Sequence, residues 1–287
     1  MTPIHLHDET SQLKSVILGI ARDRSTDNHQ NNPKYASIVV RGEDPKDEIL
    51  IGEMNNLSRL LEGRGVTVYR PYNIPNCTQI FTRDIAFVIG DVIVKSNMLL
   101  ENRKKEITAI DSLLAEAEKV VSPPTDAIIE GGDVILYNEY VFVGRGARTN
   151  QAGVDFLTKQ FRNKKVIPLP TIVSNDPMSH IVHLDCAFQP VGDKYAILFE
   201  EGFVNRPDAI YDLFGEKNLI KVTSNEMYHM YPNIFSIAPD LVVVEASFTR
   251  LIAELERRNI AVDKINYSNV AKLGGMLRCS TLPLCRV

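Results

Sequence analysis

Four short segments of this chain carry side chains that could do chemistry together. In chain order they are Thr82-Arg83-Asp84, Glu130-Gly131-Gly132-Asp133, His183-Leu184-Asp185 and Gly274-Gly275-Met276-Leu277-Arg278-Cys279. A thiolate is a strong nucleophile, an imidazole can carry protons, and a carboxylate can hold that imidazole in one tautomer. If the fold brings the segments together, Cys279, His183 and Glu130 therefore predict nucleophilic catalysis by a cysteine.

Asp84 and Asp185 are two further carboxylates in the same set. They would repel a thiolate unless a cation lay between them, and a guanidinium suits that place because it pairs with carboxylates through parallel N–H bonds. Arg103 and Arg148 lie near the starts of predicted helices and could hold a substrate carboxylate, with a surface ion pair as the alternative for Arg148. The residue types therefore predict a small cationic guanidino substrate.

Some of these positions also allow a plainer interpretation. Asp133 follows two glycines and could only cap a turn, and Arg83 could be a solvated charge at the edge of a strand. Asp185 could be a structural partner of a buried backbone amide. Cys285, six residues after Cys279, is a second candidate nucleophile.

Two other classes of protein remain open. The spacing of His180, His183 and Asp185 suits metal ligands, so a metallohydrolase is one alternative. A non-catalytic binding protein is the other, and it would not depend on the thiol of Cys279.

The four segments precede strands of a repeating pattern. Hairpins are predicted around four polar turns, which are Gly90-Asp91, Asn138-Glu139, Gly192-Asp193-Lys194 and Pro239-Asp240. Each hairpin is followed by a helical period, Glu101–Lys119 being the first such stretch, and then by a short strand. A period near 50 residues is typical of a closed ring or a solenoid, and a ring would bring equivalent positions together at one end.

The N-terminal part fits the same plan if Lys14–Ile20 pairs with Ser37–Val40 and Met54–Leu61 forms a helix before a strand at Val66–Tyr69. The run Leu277–Leu284 would then close the ring against the first unit. We therefore predict one catalytic α/β domain over residues 1–287, a five-bladed α/β propeller of ββαβ units. The polar stretch Arg24–Lys34 is a candidate lid.

Composition narrows the classes of partner. The net charge of -4 offers no basic face, so we do not expect a nucleic-acid partner. The N-terminus lacks the pattern of a signal peptide, and no run reaches the roughly 18 apolar residues of a membrane helix, so we expect a cytoplasmic protein without a membrane partner. The four cysteines are scattered without a C-x-x-C pair, which argues against a disulfide scaffold. A homo-oligomer is left open.

Taken together, the motifs FTRD, IEGGD, HLD and GGMLRC resemble those of the guanidino-group-modifying superfamily. This superfamily includes arginine deiminases, dimethylarginine dimethylaminohydrolases and amidinotransferases, and its fold is the five-bladed α/β propeller known as the pentein. The resemblance covers the chain from about Leu13 to Cys285. It implies no metal and no organic cofactor.

The resemblance also implies a role for each site residue. Cys279 resembles the nucleophile that attacks the guanidino carbon, His183 the general acid and base, and Glu130 the carboxylate that orients the imidazole. The substrate would be held by two acids that resemble guanidinium ligands and by two arginines that resemble a carboxylate clamp, namely Asp84, Asp185, Arg103 and Arg148.

The subfamily depends on a few positions. Asp185 completes an H-x-D motif that is typical of arginine deiminases and amidinotransferases, whereas the length and Arg103 are closer to dimethylarginine hydrolases. Those hydrolases commonly carry an additional acid where Thr78 stands here, and a Glu where Arg83 stands. We therefore predict hydrolysis of a free arginine-like guanidino amino acid to a ureido product and ammonia through a covalent amidino-cysteine. An amidinotransferase that uses an amine as acceptor and a dimethylarginine dimethylaminohydrolase are the alternatives.

Overall fold

The computed structural model describes residues 3–25 and 32–287, and in this part of the chain the strands form five three-stranded sheets. In each sheet the central strand pairs antiparallel with one neighbour and parallel with the other. The strands are β1 Leu13–Leu18, β2 Thr67–Tyr69, β3 Ala86–Ile89, β4 Val92–Lys95, β5 Val120–Val121, β6 Val134–Tyr137, β7 Tyr140–Arg145, β8 Lys165–Pro170, β9 Phe188–Val191, β10 Tyr195–Leu198, β11 Leu219–Lys221, β12 Phe235–Ala238, β13 Leu241–Glu245, β14 Ala261–Ile265 and β15 Thr281–Arg286. The mixed α/β class predicted from the sequence is confirmed.

Eight α-helices connect or flank these strands in the described residues. They are α1 Pro33–Val40, α2 Asp47–Gly63, α3 Asp111–Glu116, α4 Gln151–Gln160, α5 Asp208–Phe214, α6 Ser224–Tyr228, α7 Thr249–Glu256 and α8 Ser268–Lys272. Shorter 3₁₀ segments precede β6 and β9, at Gly131–Asp133 and Leu184–Cys186. None of the helices in the described ranges is long and apolar enough to cross a membrane.

The four predicted hairpins are present, each as an antiparallel pair of strands. The alternating and apolar runs bury their side chains, so that β3 and β9 are buried along their whole length. The parallel third strand follows a crossover that contains a helix in each of these four units, as a parallel pair requires.

Two predicted elements are wrong. Ser37–Val40 is not a strand but the end of α1, because the Asn32 side chain accepts hydrogen bonds from the Lys34 and Tyr35 N–H groups and Pro33 begins the helix. The stretch predicted as one helix from Glu101 is a 3₁₀ segment, Glu101–Ile110, followed by the short α3.

The last strand pairs with the first, as the sequence predicts. β15 runs antiparallel to β1, with Ile17 opposite Leu282, and β1 also pairs in parallel with β2. The predicted strand Leu277–Leu284 is wrong over its first four residues, Leu277–Ser280, which form part of a turn before β15. Gly274 begins this turn with φ of +87°, where a side chain would be strained and would also collide with Asn32. This turn carries Cys279 two residues before β15.

Candidate active site

One pocket gathers side chains from most of the length of the chain. It encloses about 590 Å³ of empty space, part of it open to solvent, and its lining includes five of the residues predicted to form the site, namely Asp84, Arg103, Arg148, His183 and Cys279. All five are buried. Glu130 and Asp185 lie behind this lining, against His183 and Cys279 respectively. The structure thus brings the predicted residues together, while their roles stay predictions.

The imidazole of His183 lies between two carboxylates. Its Nε2 is 2.9 Å from Glu130 Oε2, and its Nδ1 is 3.6 Å from Asp84 Oδ1. Burial alone lowers the pKa of His183, but the charges of Asp84 and Glu130 outweigh burial and raise it to about 9. The ring is therefore a protonated acid near neutral pH.

Two features fix the Glu130 carboxylate and the His183 imidazole in place. Glu130 is completely buried, and its Oε1 accepts a hydrogen bond from the Leu99 N–H at 3.1 Å. Burial raises the pKa of Glu130, yet its bond to His183 and the nearby arginines bring that pKa well below its usual range. Gly132 is needed here, because a Cβ at this position would come within 2.7 Å of the His183 ring and 2.9 Å of Asp84 Oδ1.

Arg103 is already paired with carboxylates. Its Nη1 donates to Asp84 Oδ2 at 2.8 Å, and its Nε and Nη2 donate to the two oxygens of Glu106 at 2.8 and 2.9 Å. The single bond to Oδ2 leaves Asp84 Oδ1, which lies 3.6 Å from His183 Nδ1, as a buried oxygen without a hydrogen-bond partner among the described residues. Asp84 thus offers one free acceptor atom on the pocket side of its pair with Arg103.

Arg148 comes from another unit and lies close to Glu130. Its Nη1 is 3.7 Å from Glu130 Oε2, and its side chain is buried in the pocket wall. The alternative interpretation of Arg148 as part of a surface ion pair is therefore wrong, because Arg148 is 6% exposed.

The Cys279 thiol is buried between an amide and a carboxylate. Its Sγ is 3.2 Å from Asn233 Nδ2 and 3.5 Å from Asp185 Oδ2. Burial and the charges of Asp185 and Asp84 raise the pKa of this thiol well above its ordinary value. A cation that entered the pocket would offset those negative charges and favour the thiolate.

Asp185 and Arg83 belong to a buried charge cluster behind the thiol. Asp185 Oδ2 accepts from Arg278 Nη1 at 3.0 Å, and Arg278 Nη2 donates to Glu9 at 2.9 Å. Arg83 lies 3.6 Å from Glu9 and is 2% exposed, so its interpretation as a solvated charge is wrong. Asp185 therefore contacts the sulfur and a buried guanidinium and is not part of the pocket lining.

Asp133 joins two neighbouring units. Its Oδ1 accepts from the Leu184 N–H at 2.9 Å, and its Oδ2 accepts from the Thr149 hydroxyl at 2.6 Å. Burial raises its pKa to about 7. The carboxylate thus ties the segment before β6 to the segment before β9 and is more than a local turn cap.

The predicted metal set is not assembled. His180 Nδ1 accepts from the Ser174 N–H at 3.1 Å, and Asp185 turns to Arg278. In the described ranges, the potential ligand atoms of a different group, Asp84, Glu130 and His183, lie within 4.8 Å of one another. Asp84 in this group already accepts a hydrogen bond from Arg103. The alternative prediction of a metal site formed by His180, His183 and Asp185 is therefore wrong.

The structure also places two other predicted features, the second candidate nucleophile and the candidate lid. Cys285 lies inside β15 opposite Ser15 and does not line the pocket, so the structure gives it no part in the site. The lid candidate Arg24–Lys34 falls partly outside the described residues, but Arg24 at its start and Asn32 near its end line the pocket. Arg24 is held there by Asp44, Asp47 and Tyr35.

Sequence reasoning missed Asn233 and Glu106. Asn233 lies two residues before β12, as Asp84 lies two before β3 and Cys279 two before β15. The sequence signal for Asn233 was therefore a polar residue two positions before the first strand of the fourth hairpin. Glu106 had a weaker signal, its position three residues after Arg103 in a helical stretch.

Known proteins share this fold and parts of this sequence. The fold is similar to that of inosamine-phosphate amidinotransferase from Streptomyces griseus, with a TM-score of 0.80 and 20% identity over 99% of this chain and 97% of that chain. The sequence is 30% identical over 208 residues to the uncharacterized protein YkgA of Bacillus subtilis, covering 72% of this chain and 70% of that protein. It is also 30% identical over 122 residues to N(G),N(G)-dimethylarginine dimethylaminohydrolase of Streptomyces coelicolor, a match that covers 41% of this chain and 44% of that protein.

The dimethylarginine hydrolase relative and the matching family model agree on the class of protein, an enzyme that modifies guanidino groups. The family described as N,N dimethylarginine dimethylhydrolase, eukaryotic, matches residues 22–286. The chain belongs to this family. The superfamily inferred from its motifs is thereby confirmed.

Proposed function

We propose that this protein hydrolyses the guanidino group of a free arginine-like amino acid, with Cys279 as nucleophile. The observation that carries the proposal is the pocket in which the Cys279 thiol, the His183 imidazole and the Asp84 carboxylate meet. The free Oδ1 of Asp84 is a suitable acceptor for a guanidinium N–H. Arg148 and Arg103 are the candidates for the substrate carboxylate, because both guanidinium groups line the pocket.

The first half of the reaction forms a covalent intermediate. The bound guanidinium offsets the charges of Asp84 and Asp185, so the Cys279 thiol releases its proton to solvent, and the thiolate attacks the guanidino carbon. The protonated His183 then gives its proton to the leaving nitrogen. The carbon–nitrogen bond breaks, ammonia departs, and an amidino-thioether remains.

Water completes the reaction. The now neutral His183 takes a proton from a water molecule, whose oxygen attacks the amidino carbon. The carbon–sulfur bond breaks as the added hydroxyl gives up its proton, which restores the thiol of Cys279, and the ureido product leaves while His183 is again protonated. Glu130 keeps the imidazole in place throughout and stabilises its cationic form.

The substrate is the finer part of the proposal. A threonine, Thr78, lines the pocket where dimethylarginine hydrolases commonly place an acid, which favours unmethylated arginine. A second candidate, hydrolysis of N,N-dimethylarginine, is favoured by the family match over residues 22–286. Both reactions use the same covalent intermediate and differ in the amine released.

The same proposal extends to the architecture. We infer that the five sheets stand around one axis as the blades of a propeller. The support is their common strand order, the pairing of β1 with β15, and the gathering of Asp84, His183 and Cys279 from three units.

The products decide between the candidates. We expect purified protein to convert L-arginine to citrulline and ammonia in equal amounts, measured by a colorimetric ureido assay and an ammonia assay. N,N-dimethylarginine should react more slowly by at least about tenfold in kcat/KM, because Thr78 supplies no second charge. Cys279→Ala protein is the blank.

Two other outcomes would overturn the first candidate function. Faster release of dimethylamine from N,N-dimethylarginine would replace the first candidate with the second. Ornithine and a new guanidino compound, formed from arginine only when an amine acceptor is present, would show an amidinotransferase and overturn hydrolysis.

Asp84→Asn should weaken substrate recognition. The amide cannot offer a charged acceptor to the guanidinium, so we expect kcat/KM for arginine to fall by about 10²-fold, measured from initial rates. Asp133→Asn is the matched control, because it changes a buried carboxylate that does not line the pocket. This control should lower thermal stability with little change in KM, and equal kcat/KM values in wild type and Asp84→Asn would contradict the role of Asp84.

A further inference from the structure

Asn233 holds both the turn that carries Cys279 and the sulfur itself. The side chain is completely buried. Its Oδ1 accepts from the backbone N–H groups of Met276 and Cys279 at 3.2 and 3.1 Å. Its Nδ2 lies 3.2 Å from Cys279 Sγ and 3.3 Å from the Asp185 carbonyl oxygen.

The two polar neighbours of the sulfur act on its charge in opposite directions. A thiol can donate to the Asp185 carboxylate, whereas a thiolate is repelled by it, so Asp185 favours the protonated form. The Asn233 amide can only donate through Nδ2, and a donated hydrogen bond favours the thiolate. Asn233 is therefore the contact of the sulfur that becomes stronger when the proton leaves.

We propose that Asn233 is a positioning residue for the reaction of Cys279, one that stabilises the thiolate through its N–H and places the sulfur through its carbonyl. The inference rests on the proposed function, in which Cys279 is the nucleophile. The two halves of the amide have separate tasks: Oδ1 fixes the backbone of the turn, and Nδ2 serves the sulfur. Variants that affect the halves differently can therefore distinguish a catalytic contribution from a purely structural one.

Two variants separate these tasks. Asn233→Asp has nearly the same shape and keeps an oxygen acceptor for the two backbone N–H groups, but it replaces the donor with a carboxylate oxygen. Asn233→Ala removes both. The readout is alkylation of Cys279 by iodoacetamide without substrate, followed by mass spectrometry of the Cys279 peptide across a pH series.

We expect alkylation at about pH 8 to slow by about tenfold in Asn233→Ala and further in Asn233→Asp, because the thiolate fraction falls tenfold for each unit by which the thiol pKa rises. The pH profile of alkylation should move to higher pH in both variants. In turnover, kcat should fall more than KM rises. Asn225→Ala, an exposed asparagine two residues after Thr223, is the control and should match wild type.

The outcomes separate this inference from the proposed function. Wild-type alkylation rates in Asn233→Asp or Asn233→Ala would overturn the role of Asn233 while leaving Cys279 as nucleophile. Failure of both variants to fold, with Asn225→Ala folded, would also overturn it and make Asn233 a folding residue. Loss of the proposed function would show instead as full turnover in Cys279→Ala, which leaves the alkylation comparison of wild type and Asn233 variants unaffected.

Discussion

Replacing Cys279 by alanine should reduce turnover of the guanidino substrate by at least about 10⁴-fold, because the covalent intermediate forms on that sulfur. The remaining residues of the pocket could still bind substrate but offer no thiolate. Initial-rate assays of ureido product would measure the loss. Mass spectrometry of wild-type protein quenched during turnover should find the added amidino group on Cys279, whereas Cys279→Ala should carry none.

Cys285→Ala is the matched control. Cys285 is also buried and lies in the same C-terminal segment, but it is opposite Ser15 of β1 within the sheet and does not line the pocket. It should retain turnover within a few fold of wild type. Full activity in Cys279→Ala, or loss of activity in Cys285→Ala alone, would refute the assignment of the nucleophile.

The removal of one buried thiol should not unfold the protein. A Cys-to-Ala change in a core removes the packing contacts of one sulfur atom, which lowers the free energy of unfolding by on the order of 1 kcal/mol. Asn233 would keep its two bonds to the backbone of the turn. Comparable melting temperatures for wild type and Cys279→Ala would therefore attribute the lost turnover to chemistry.

The repeat and most strands could be predicted because their signals are local. Alternating apolar residues and short polar turns marked the hairpins at Gly90-Asp91 and Asn138-Glu139, and both form where expected. The predicted strand Leu277–Leu284 starts four residues too early, because Leu277–Ser280 belong to the turn that Gly274 begins. The predicted strand Ser37–Val40 failed because its β-branched residues outweighed the helix signal of Asn32 and Pro33.

The charge cluster could not be predicted because it depends on distant segments. Arg83 and Arg278 carry charges that are usually exposed, and they are buried only because Glu9 and Asp185 arrive from other parts of the chain. Arg103 is a partial exception, because Glu106 lies three residues along the same segment whereas Asp84 comes from the loop before β3. Residue types thus identified the groups of the site, whereas the choice of partner for each charge followed from the fold.

Substitution of His183 by glutamine should lower kcat by about 10³-fold, because the substitution removes the proton carrier while leaving the thiol and Asp84. In wild type, kcat should fall on the alkaline side as the imidazole loses its proton, near its raised pKa of about 9. Glu130→Gln should move this alkaline limb to lower pH, since the Glu130 carboxylate helps to hold the proton on the ring. An alkaline limb that stays in place in Glu130→Gln would contradict the role of the pair.

The same proton should stabilise the fold. Because the pKa of His183 is raised from its ordinary 6.5 to about 9 in the folded chain, its contribution to the free energy of unfolding is complete below about pH 6.5. This contribution should be lost as pH rises through about 9, a change on the order of 3 kcal/mol. Urea unfolding of wild type and His183→Gln over this pH range should therefore give a stability difference that shrinks with rising pH, and a difference that stays constant would show that the buried imidazole does not keep its proton between Asp84 and Glu130.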